Sequence, residues 1–294
     1  MKNVLYVVDS YNWALSSRAN ALVKYLPEHT SKITHFKEIK SRSDLDGFDI
    51  VYLLNWPIYG IINKYLDPRG KRSYRLITTV SSHVGRPKAD KMAKSFIIYD
   101  AISTSSNYLY NEFKQPCASL GIKIFNTPFG VESDFFKPIS DPSEYASVFG
   151  WVGNRDRDVK RFDVIEKIFA LKDVKSTLKI ATHKSGYGRQ EMNKFYNSIG
   201  TLICFSTSEG TPNPILEAAS CGRNIISTNV GNVPQLINRN KDIAIVSTEA
   251  ALKKTIISTT SEQVSKNGIY LRDQIEQNWS WELRSRAFIE FIKI

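Results

Sequence analysis

Two glutamates, Glu209 and Glu217, lie eight positions apart in the stretch STSEGTPNPILEAASCG, which runs from Ser206 to Gly222. The prolines between them prevent a helix from running back through the segment, whereas ILEAAS beyond them contains good helix formers. Pro214 suits the first turn of a helix, because its missing N–H would have no partner there. We therefore predict that Glu209 lies in a loop and that Glu217 lies just inside the helix that follows.

The start of this helix is predicted to bind an anion. Backbone amides at a helix N-terminus can donate to a ligand, and the helix dipole favours negative charge there. We expect four residues to offer free amides, namely Thr211, Asn213, Ile215 and Leu216. Glu217 can reach past phosphates to the hydroxyl groups of a ribose, and Glu209 would face the group attached on their other side. The spacing thus suits a sugar–diphosphate–nucleoside.

Two other interpretations of the pair remain open on spacing alone. The carboxylates could be the acid and the nucleophile of a glycosidase, although such groups face each other across the sugar and usually come from separate elements. Alternatively, Glu217 could be a solvated helix residue, as most helix glutamates are.

Short β-branched segments alternate with amphipathic segments along the chain. The predicted strands of the first half are Val4–Val8, Ile50–Leu54, Leu76–Val80, Ala101–Thr104 and Lys123–Asn126. Those of the second half are Val148–Val152, Leu178–Ala181, Leu202–Ser206, Asn224–Ser227 and Ile243–Val246. The predicted helices are a first one that closes at Pro27, then Phe162–Leu171, Arg189–Ser198, Pro214–Cys221 and Glu249–Ile257.

This alternation predicts an α/β fold with two Rossmann-like domains, whose parallel sheets face each other across a cleft. Ligands of such sheets lie outside the carboxyl ends of the strands, and the loop that holds Glu209 follows one such strand. The segment Lys137–Tyr145 contains Pro, Ser and Asp and is typical of a linker. Neither a G-x-G-x-x-G motif after the first strand nor a Walker A loop is present, which disfavours ordinary dehydrogenases and P-loop enzymes.

The composition narrows the class of protein further. With 294 residues and 42% hydrophobic content, the chain can form two domains with real cores. Its longest apolar stretch, Val51–Ile62, is too short to span a bilayer, and the first apolar segment reads as a strand rather than a signal peptide. The cysteines Cys117, Cys204 and Cys221 form no C-x-x-C pair. We therefore expect no zinc site, no disulfide framework and a cytoplasmic location.

The net charge of +11 concerns partners rather than fold. Basic residues cluster in Arg69–Arg75 and in Arg86–Lys94. Solvated loops are the ordinary explanation of such clusters, and a surface for anionic lipid or an acidic acceptor is the alternative. Nucleic acid is disfavoured, because no RNP, helix-turn-helix or zinc-finger pattern is present.

The segment SEGTPNPILEAASCGRNIISTNVGNVPQLI, residues 208–237, resembles the signature of the retaining glycosyltransferases of family 4, the glycosyl transferases group 1, which have the GT-B fold. That signature contains an E-x7-E pair within EG-x-P-x-x-x-LEA, then a small-residue turn, an apolar strand and a G-x-x-P segment. Weaker resemblances extend over NTPFGVESDFFKP, FGWVGNRDRDVKRFDVIEKI and NWSWELRSRAFIEFI, residues 126–138, 149–168 and 278–292.

This resemblance implies an N-terminal acceptor-side domain at 1–137, a nucleotide-sugar domain at 146–275 and a terminal helix at 276–294 that crosses back to the first domain. It implies a UDP-sugar or GDP-sugar donor, a hydroxyl acceptor and transfer with retention, with neither a metal nor a cofactor. The donor-binding residues would be Glu217, Gly210, Thr211, Pro212, Asn213, Ile215 and Leu216. Glu217 would bind the ribose and Glu209 the hydroxyls of the transferred sugar. The remaining catalytic residues would be Arg155 and Lys160, which hold the diphosphate, and His83 near the sugar.

The chain departs from the family pattern at several positions. The first loop, Asp9–Ala14, lacks the usual glycines, and Phe129, Arg161 and Gln235 replace the usual Asn, Gly and Glu. Arg157 and Arg161 could also compete with Arg155 for the diphosphate. Two alternatives to a transferase stay open: a GT-B epimerase of sugar nucleotides, and a non-catalytic GT-B module that binds a partner through its basic surface.

Overall fold

The computed structural model describes residues 1–11, 14–82, 88–238 and 240–294 of the chain. It consists of two compact units. The first unit contains Met1–Phe129 together with Trp281–Ile294, and the second contains Gly130–Ser280. The predicted linker Lys137–Tyr145 lies inside the second unit, where Pro142–Tyr145 forms a 3-10 turn.

The first unit is built on a parallel sheet of six strands in the order β2-β1-β3-β4-β5-β6. Its strands are β1 (Asn3–Val8), β2 (Thr30–His35), β3 (Ile50–Leu53), β4 (Arg75–Val80), β5 (Ala101–Thr104) and β6 (Lys123–Asn126). Residues Val4–Val8 of β1 are at most 1% exposed. A central strand of a parallel sheet has both faces covered, so it reads as a continuous apolar run.

The second unit holds a five-stranded parallel sheet in the order β11-β10-β9-β7-β8. Its strands are β7 (Val148–Val152), β8 (Thr177–Ala181), β9 (Thr201–Cys204), β10 (Asn224–Ser227) and β11 (Ala244–Ile245). Two apolar clusters form its core, one around Leu202 and Leu216 and the other around Phe149 and Ile165.

Helices and short turns connect these strands. The helices are α1 (Ala14–Tyr25), α2 (Tyr59–Ile62), α3 (Ala89–Ala93), α4 (Asn107–Ala118), α5 (Phe162–Phe169), α6 (Arg189–Tyr196), α7 (Asn213–Ser220), α8 (Val233–Ile237), α9 (Glu249–Ser258), α10 (Ser261–Gln274), α11 (Trp281–Arg284) and α12 (Arg286–Ile292). A π-helical turn, Ile275–Trp279, follows α10. The last two helices belong to the first unit, where Phe288 and Phe291 are fully buried.

Every strand predicted from the sequence is present, with its ends within two residues of the predicted ones. Strand β2 was not predicted. It lies at the edge of its sheet, and its sequence TSKITH is mostly polar because much of it stays in contact with solvent. Within the described ranges, no helix is both long and apolar enough to cross a bilayer.

Candidate functional site

The two glutamates lie where the sequence predicts, on either side of a helix start. Strand β9 ends at Cys204, Glu209 lies in the loop that follows, and Glu217 lies inside α7. Pro214 occupies the first turn of α7, and the loop meets the helix without a side-chain cap. The carboxyl end of β9 and the amino end of α7 therefore flank one segment of backbone.

One predicted amide donor at this helix start is not free. The N–H of Ile215 donates to the carbonyl of Pro212 at 2.9 Å. This turn ends the loop and leads into α7, so it uses an amide that the sequence alone leaves without a partner. The prediction of a free amide at Ile215 is therefore wrong, and the anion-binding capacity of this helix start has to come from its other amides.

Lys160 and Glu209 form a close ion pair, with Lys160 Nζ 2.6 Å from Glu209 Oε1. Both side chains are mostly buried, at 15% and 13% exposed. Ser206 Oγ donates to the same carboxylate oxygen at 2.8 Å. The two loops are also joined through their backbones, because Thr207 N–H donates to Val159 C=O at 2.9 Å. The structure thus brings together two residues that the sequence keeps forty-nine positions apart.

A small pocket opens beside this pair. Its enclosed volume is about 10 Å³, roughly the space of one water molecule, and residues of β7, β9 and the start of α7 line it together with Lys160 and Ser206. Strands β7 and β9 are neighbours in the sheet but not in sequence. The strand order therefore reverses between them, with β8 on one side of β7 and β9 on the other. Parallel α/β sheets bind ligands at such a switch point. The pocket therefore lies where this topology favours a ligand.

Glu217 has a different environment from Glu209. Its carboxylate oxygen Oε2 accepts a hydrogen bond from the Tyr196 hydroxyl at 2.6 Å. Burial raises the pKa of Glu217 to about 7, while the Tyr196 hydroxyl and the nearby Arg189 guanidinium act in the opposite direction. Burial beside this carboxylate also raises the pKa of Tyr196 well above its usual value, so its hydroxyl remains a donor. Glu217 is therefore poised between its charged and neutral forms near pH 7.

Within the described residues, the contacts of Arg155 are with helix α5 and not with the Lys160–Glu209 pair. Its guanidinium lies 4.4 Å from the centre of the Phe162 ring and 3.7 Å from Glu166 Oε1, both on α5. Of its predicted competitors, Arg157 is exposed, whereas Arg161 lies over the Phe205 ring. The assignment of the diphosphate to Arg155 stays a prediction.

The structure does not describe every predicted site residue. His83 lies outside the described residues, as do Asn12 and Trp13 of the predicted first loop. The described part of that loop is held to β2, because His35 Nε2 bonds to the Asp9 carbonyl at 2.7 Å.

Gly231 begins the G-x-x-P segment of the signature, whereas the side chain of Asn232 is a feature of this region that the sequence analysis did not single out. Gly231 has φ +55°, and a Cβ atom there would lie 2.4 Å from the carbonyl oxygen of Gly210. Only glycine therefore fits against the loop that carries Glu209. Asn232 is 1% exposed, and neither polar atom of its amide has a partner within the described residues. Buried amides without partners are rare in proteins.

Part of the chain matches the model of a known protein family. Residues 147–262 match the family model for Glycosyl transferases group 1. No curated protein matches the chain.

Solved structures share the fold over nearly the whole chain. A sucrose-phosphate synthase from Thermosynechococcus elongatus superposes with a TM-score of 0.76 at 10% identity, covering 100% of this chain and 98% of that one. HepE from Anabaena, in complex with UDP and glucose, gives 0.74 at 9% identity and covers 100% of both chains. A glycosyltransferase from Rickettsia africae gives 0.70 at 17% identity, covering 99% of this chain and 98% of that one.

At these identities the likeness establishes the fold, and it confirms the predicted α/β GT-B architecture with two parallel sheets. The family match covers the ion pair, the pocket and both glutamates of the second unit. Residues 147–262 are therefore similar to the glycosyl transferases group 1, and the chain as a whole has a GT-B fold.

Proposed function

We propose that the protein is a retaining glycosyltransferase, which moves a sugar from a nucleoside-diphosphate sugar to a hydroxyl acceptor. The observation that carries the proposal is the Lys160–Glu209 ion pair at the β7/β9 switch point, beside the pocket and the start of α7. An ammonium and a carboxylate held together suit a ligand that brings both phosphate oxygens and sugar hydroxyls.

Lys160 is positioned to stabilise the charge of the leaving group. Its ammonium has three N–H donors, so it can keep its bond to Glu209 and still donate to a phosphate oxygen. Charge that develops on the diphosphate in the transition state is stabilised more strongly in a partly buried site than in water. Together with the amides at the start of α7, Lys160 supplies positive charge of the kind that a divalent metal supplies in other transferases. We accordingly propose that transfer is independent of a metal.

Retention requires no side-chain nucleophile in this scheme. The bond between the anomeric carbon and the diphosphate oxygen breaks, and the acceptor oxygen bonds to the same face of that carbon. The departing phosphate takes the acceptor's proton, so atoms and charge balance without a covalent enzyme intermediate. Glu209 would accept hydrogen bonds from sugar hydroxyls and orient the ring.

Glu217 is proposed to bind the ribose of the donor. As a carboxylate it can accept hydrogen bonds from two ribose hydroxyls, and these bonds favour its charged form. The HepE structures contain UDP and UDP-glucose, which makes UDP-sugars the first donors to test, ahead of GDP-sugars.

The basic segments have different explanations in the structure. In Arg69–Arg75, three arginines lie 3.6–3.7 Å from the carboxylate of the buried Asp100, and the side chain of Arg72 is only 3% exposed. These arginines hold the chain that leads into β4. Contact with an anionic membrane therefore remains a proposal for the exposed lysines of Lys88–Lys94.

The test is a calorimetric titration of UDP, GDP and ADP into the wild-type protein and into Glu217→Gln. Glutamine keeps an acceptor for Tyr196 but loses the charge, so we expect the affinity for the preferred nucleotide to fall roughly tenfold, about 1.4 kcal/mol. Glu262→Gln, an exposed glutamate in the first turn of α10, is the matched control and should bind like the wild type.

Saturable binding without this loss would contradict the ribose role of Glu217. If none of the nucleotides binds, the donor site is wrong and a non-catalytic module gains support. Conversion of a UDP-sugar in the absence of any acceptor would instead identify an epimerase.

A further inference from the structure

A buried arginine lies at the carboxyl edge of the sheet in the first unit. Arg18, on α1, is 5% exposed. Its Nη1 donates to the carbonyl of Leu54, just after β3, and to Ser81 Oγ, just after β4, each at 3.2 Å. The strand order β2-β1-β3-β4-β5 puts the switch point of this sheet between β1 and β3. Arg18 thus reaches the edge at which such sheets bind their ligands.

The hydrogen bonds of Arg18 are incomplete, as comparison with a second buried arginine shows. In Arg223 all three nitrogens donate, to the carbonyls of Cys221, Ile199 and Ser140 and to Asn197 Oδ1. In Arg18 only Nη1 donates, and Nε and Nη2 have no hydrogen-bond partner among the described residues. Within the described part of the chain, two donors of this guanidinium are therefore without a protein acceptor.

The charge of Arg18 is also uncompensated. The Phe129 ring covers the guanidinium, with 3.3 Å between its carbon and the ring centre, and no carboxylate of the described residues lies within 4.0 Å of it. Burial lowers the pKa of Arg18 to about 9, while Tyr52 and the exposed Asp9 partly offset the shift, so the side chain is still a cation at neutral pH. A desolvated cation without a counterion is costly, and a bound anion would offset that cost.

We propose that Arg18 binds an oxyanion, a phosphate or a carboxylate, at the carboxyl edge of the first sheet. The guanidinium presents Nε and Nη2 as a planar fork that fits two oxygens of such a group. The hydroxyl of Ser81, which accepts from Arg18, can donate its own proton to the same anion.

The assignment of this anion to the acceptor rests on the proposed transferase function. In that scheme the donor's phosphates are bound by the second unit, so an oxyanion bound by the first unit belongs to the other substrate. The acceptor would then be a hydroxyl compound that carries a phosphate or a carboxylate. The oxyanion site itself stands on Arg18 alone and can be tested without a donor or an acceptor.

The experiment uses the full chain labelled with ¹⁵N-arginine and follows the Nε–H resonances as inorganic phosphate, and separately acetate, is added. We expect the Arg18 signal to shift along a saturable curve with at least one anion, while the Arg223 signal stays still because its nitrogens are all bonded. The exposed Arg286, on α12, reports the unsaturable effect of salt. Phosphate that binds only in the second unit would leave the Arg18 signal unmoved.

Arg18→Gln and Arg18→Lys complete the test. Glutamine should weaken the saturable binding roughly 10–100-fold, as expected for loss of charged hydrogen bonds, and lysine should restore part of it as a point charge without the fork. If a variant does not fold, the wild-type Arg18 resonance decides alone. A curve no different from that of Arg286 with both anions would overturn the proposal.

The test of the Arg18 oxyanion site can fail or succeed independently of the test of the donor site. Titration of UDP into Arg18→Gln should give the wild-type affinity, because Arg18 lies in the first unit. If nucleotides fail to bind but the Arg18 signal saturates with phosphate, the transferase proposal falls and the oxyanion site stands. The reverse result leaves the transferase and removes the anionic acceptor.

Discussion

The two sheets of the molecule share one strand order, β2-β1-β3-β4-β5 in the first unit and β8-β7-β9-β10-β11 in the second, with β6 added to the first. Each has a positively charged side chain beside its switch point. In the second unit Lys160 is paired with Glu209 at 2.6 Å. In the first unit Arg18 contacts a carbonyl, a hydroxyl and an aromatic ring, with no carboxylate among its described contacts.

This difference bears on what each site can receive. A paired ammonium and carboxylate offer a donor and an acceptor side by side, which matches a ligand with both hydroxyls and phosphates. An unpaired guanidinium offers donors and positive charge, which matches an anion. The same topology thus supports two sites of different chemistry, because function depends on the side chains at the edge rather than on the fold.

The largest expected effect follows from removal of the cation in the second unit. In Lys160→Met, Glu209 loses its partner and the leaving diphosphate loses its nearest proposed positive charge. We expect kcat for sugar transfer to fall roughly 100–1000-fold, as for removal of one preorganised transition-state donor. Lys167→Met, which removes an exposed lysine on α5, is the control. Steady-state kinetics with a UDP-sugar would show the effect, and a loss below tenfold would mean that Lys160 does not meet the leaving group.

The second prediction compares the two buried arginines as contributors to stability. Arg223→Met removes a donor from three carbonyls and one of two donors from Asn197 Oδ1, which should cost about 3–5 kcal/mol. Arg18→Met leaves fewer acceptors and removes a desolvated charge, so its cost should be about 1 kcal/mol or less. Native-state hydrogen exchange resolves the two units separately. Equal losses in both variants would show that Arg18, too, is a structural cation.

The sequence made the regular parts of the fold predictable and left the edges less so. Buried strands such as β1 (NVLYVV) and β3 (IVYL) are almost entirely apolar, so their positions follow from the pattern alone. The edge strand β2 lacks that pattern, because it is covered less completely. Helix α4 was also missed; Pro116 lies inside it, which weakens a helical prediction from sequence.

The candidate site was predictable in its residue types but not in its pairings. The prolines between the glutamates and the helix formers after them predicted one glutamate in a loop and one in a helix, and both positions are confirmed. That Lys160 pairs with Glu209, and Tyr196 with Glu217, depends on which strands lie side by side, which local spacing does not encode. The burial of Arg18 was missed for a related reason: an arginine flanking an apolar helix face is ordinarily solvated.

The pH dependence of nucleotide binding tests Glu217 directly. The pKa of Glu217 is about 7 in the free protein, so this side chain is mostly protonated below pH 7. A ribose that binds the carboxylate must then displace that proton, which weakens binding at acidic pH. We expect nucleotide affinity to be roughly tenfold weaker at pH 6 than at pH 8.

Because the raised pKa means that the folded state holds this proton more tightly than the unfolded chain, the contribution of Glu217 to stability should also fall as pH rises from about 4.5 to about 7.

Calorimetry on Glu217→Gln provides the control for that prediction, because the titration of the nucleotide's own phosphate is common to both proteins. The part of the pH dependence that the variant loses belongs to Glu217. If wild type and variant follow the same curve, this carboxylate does not contact the ligand. Arg18, whose pKa of about 9 lies above this window, should contribute nothing to the difference.

The smallest expected effect concerns the loop that presents Lys160. Arg161 has φ +48°, in the left-handed region that favours glycine, and glycine is the usual residue of the resembled family at this position. Its side chain gains a contact with the Phe205 ring at 4.0 Å and an ion pair with Glu249 at 3.6 Å.

Arg161→Gly relieves the backbone but loses both contacts, so its stability should stay near that of the wild type. Arg161→Ala loses the contacts and keeps the strain, which should make it about 1 kcal/mol less stable than the glycine variant. Thermal unfolding of the matched pair measures this difference. Equal stability would show that the loop relaxes, so that the position of Lys160 does not depend on this backbone conformation.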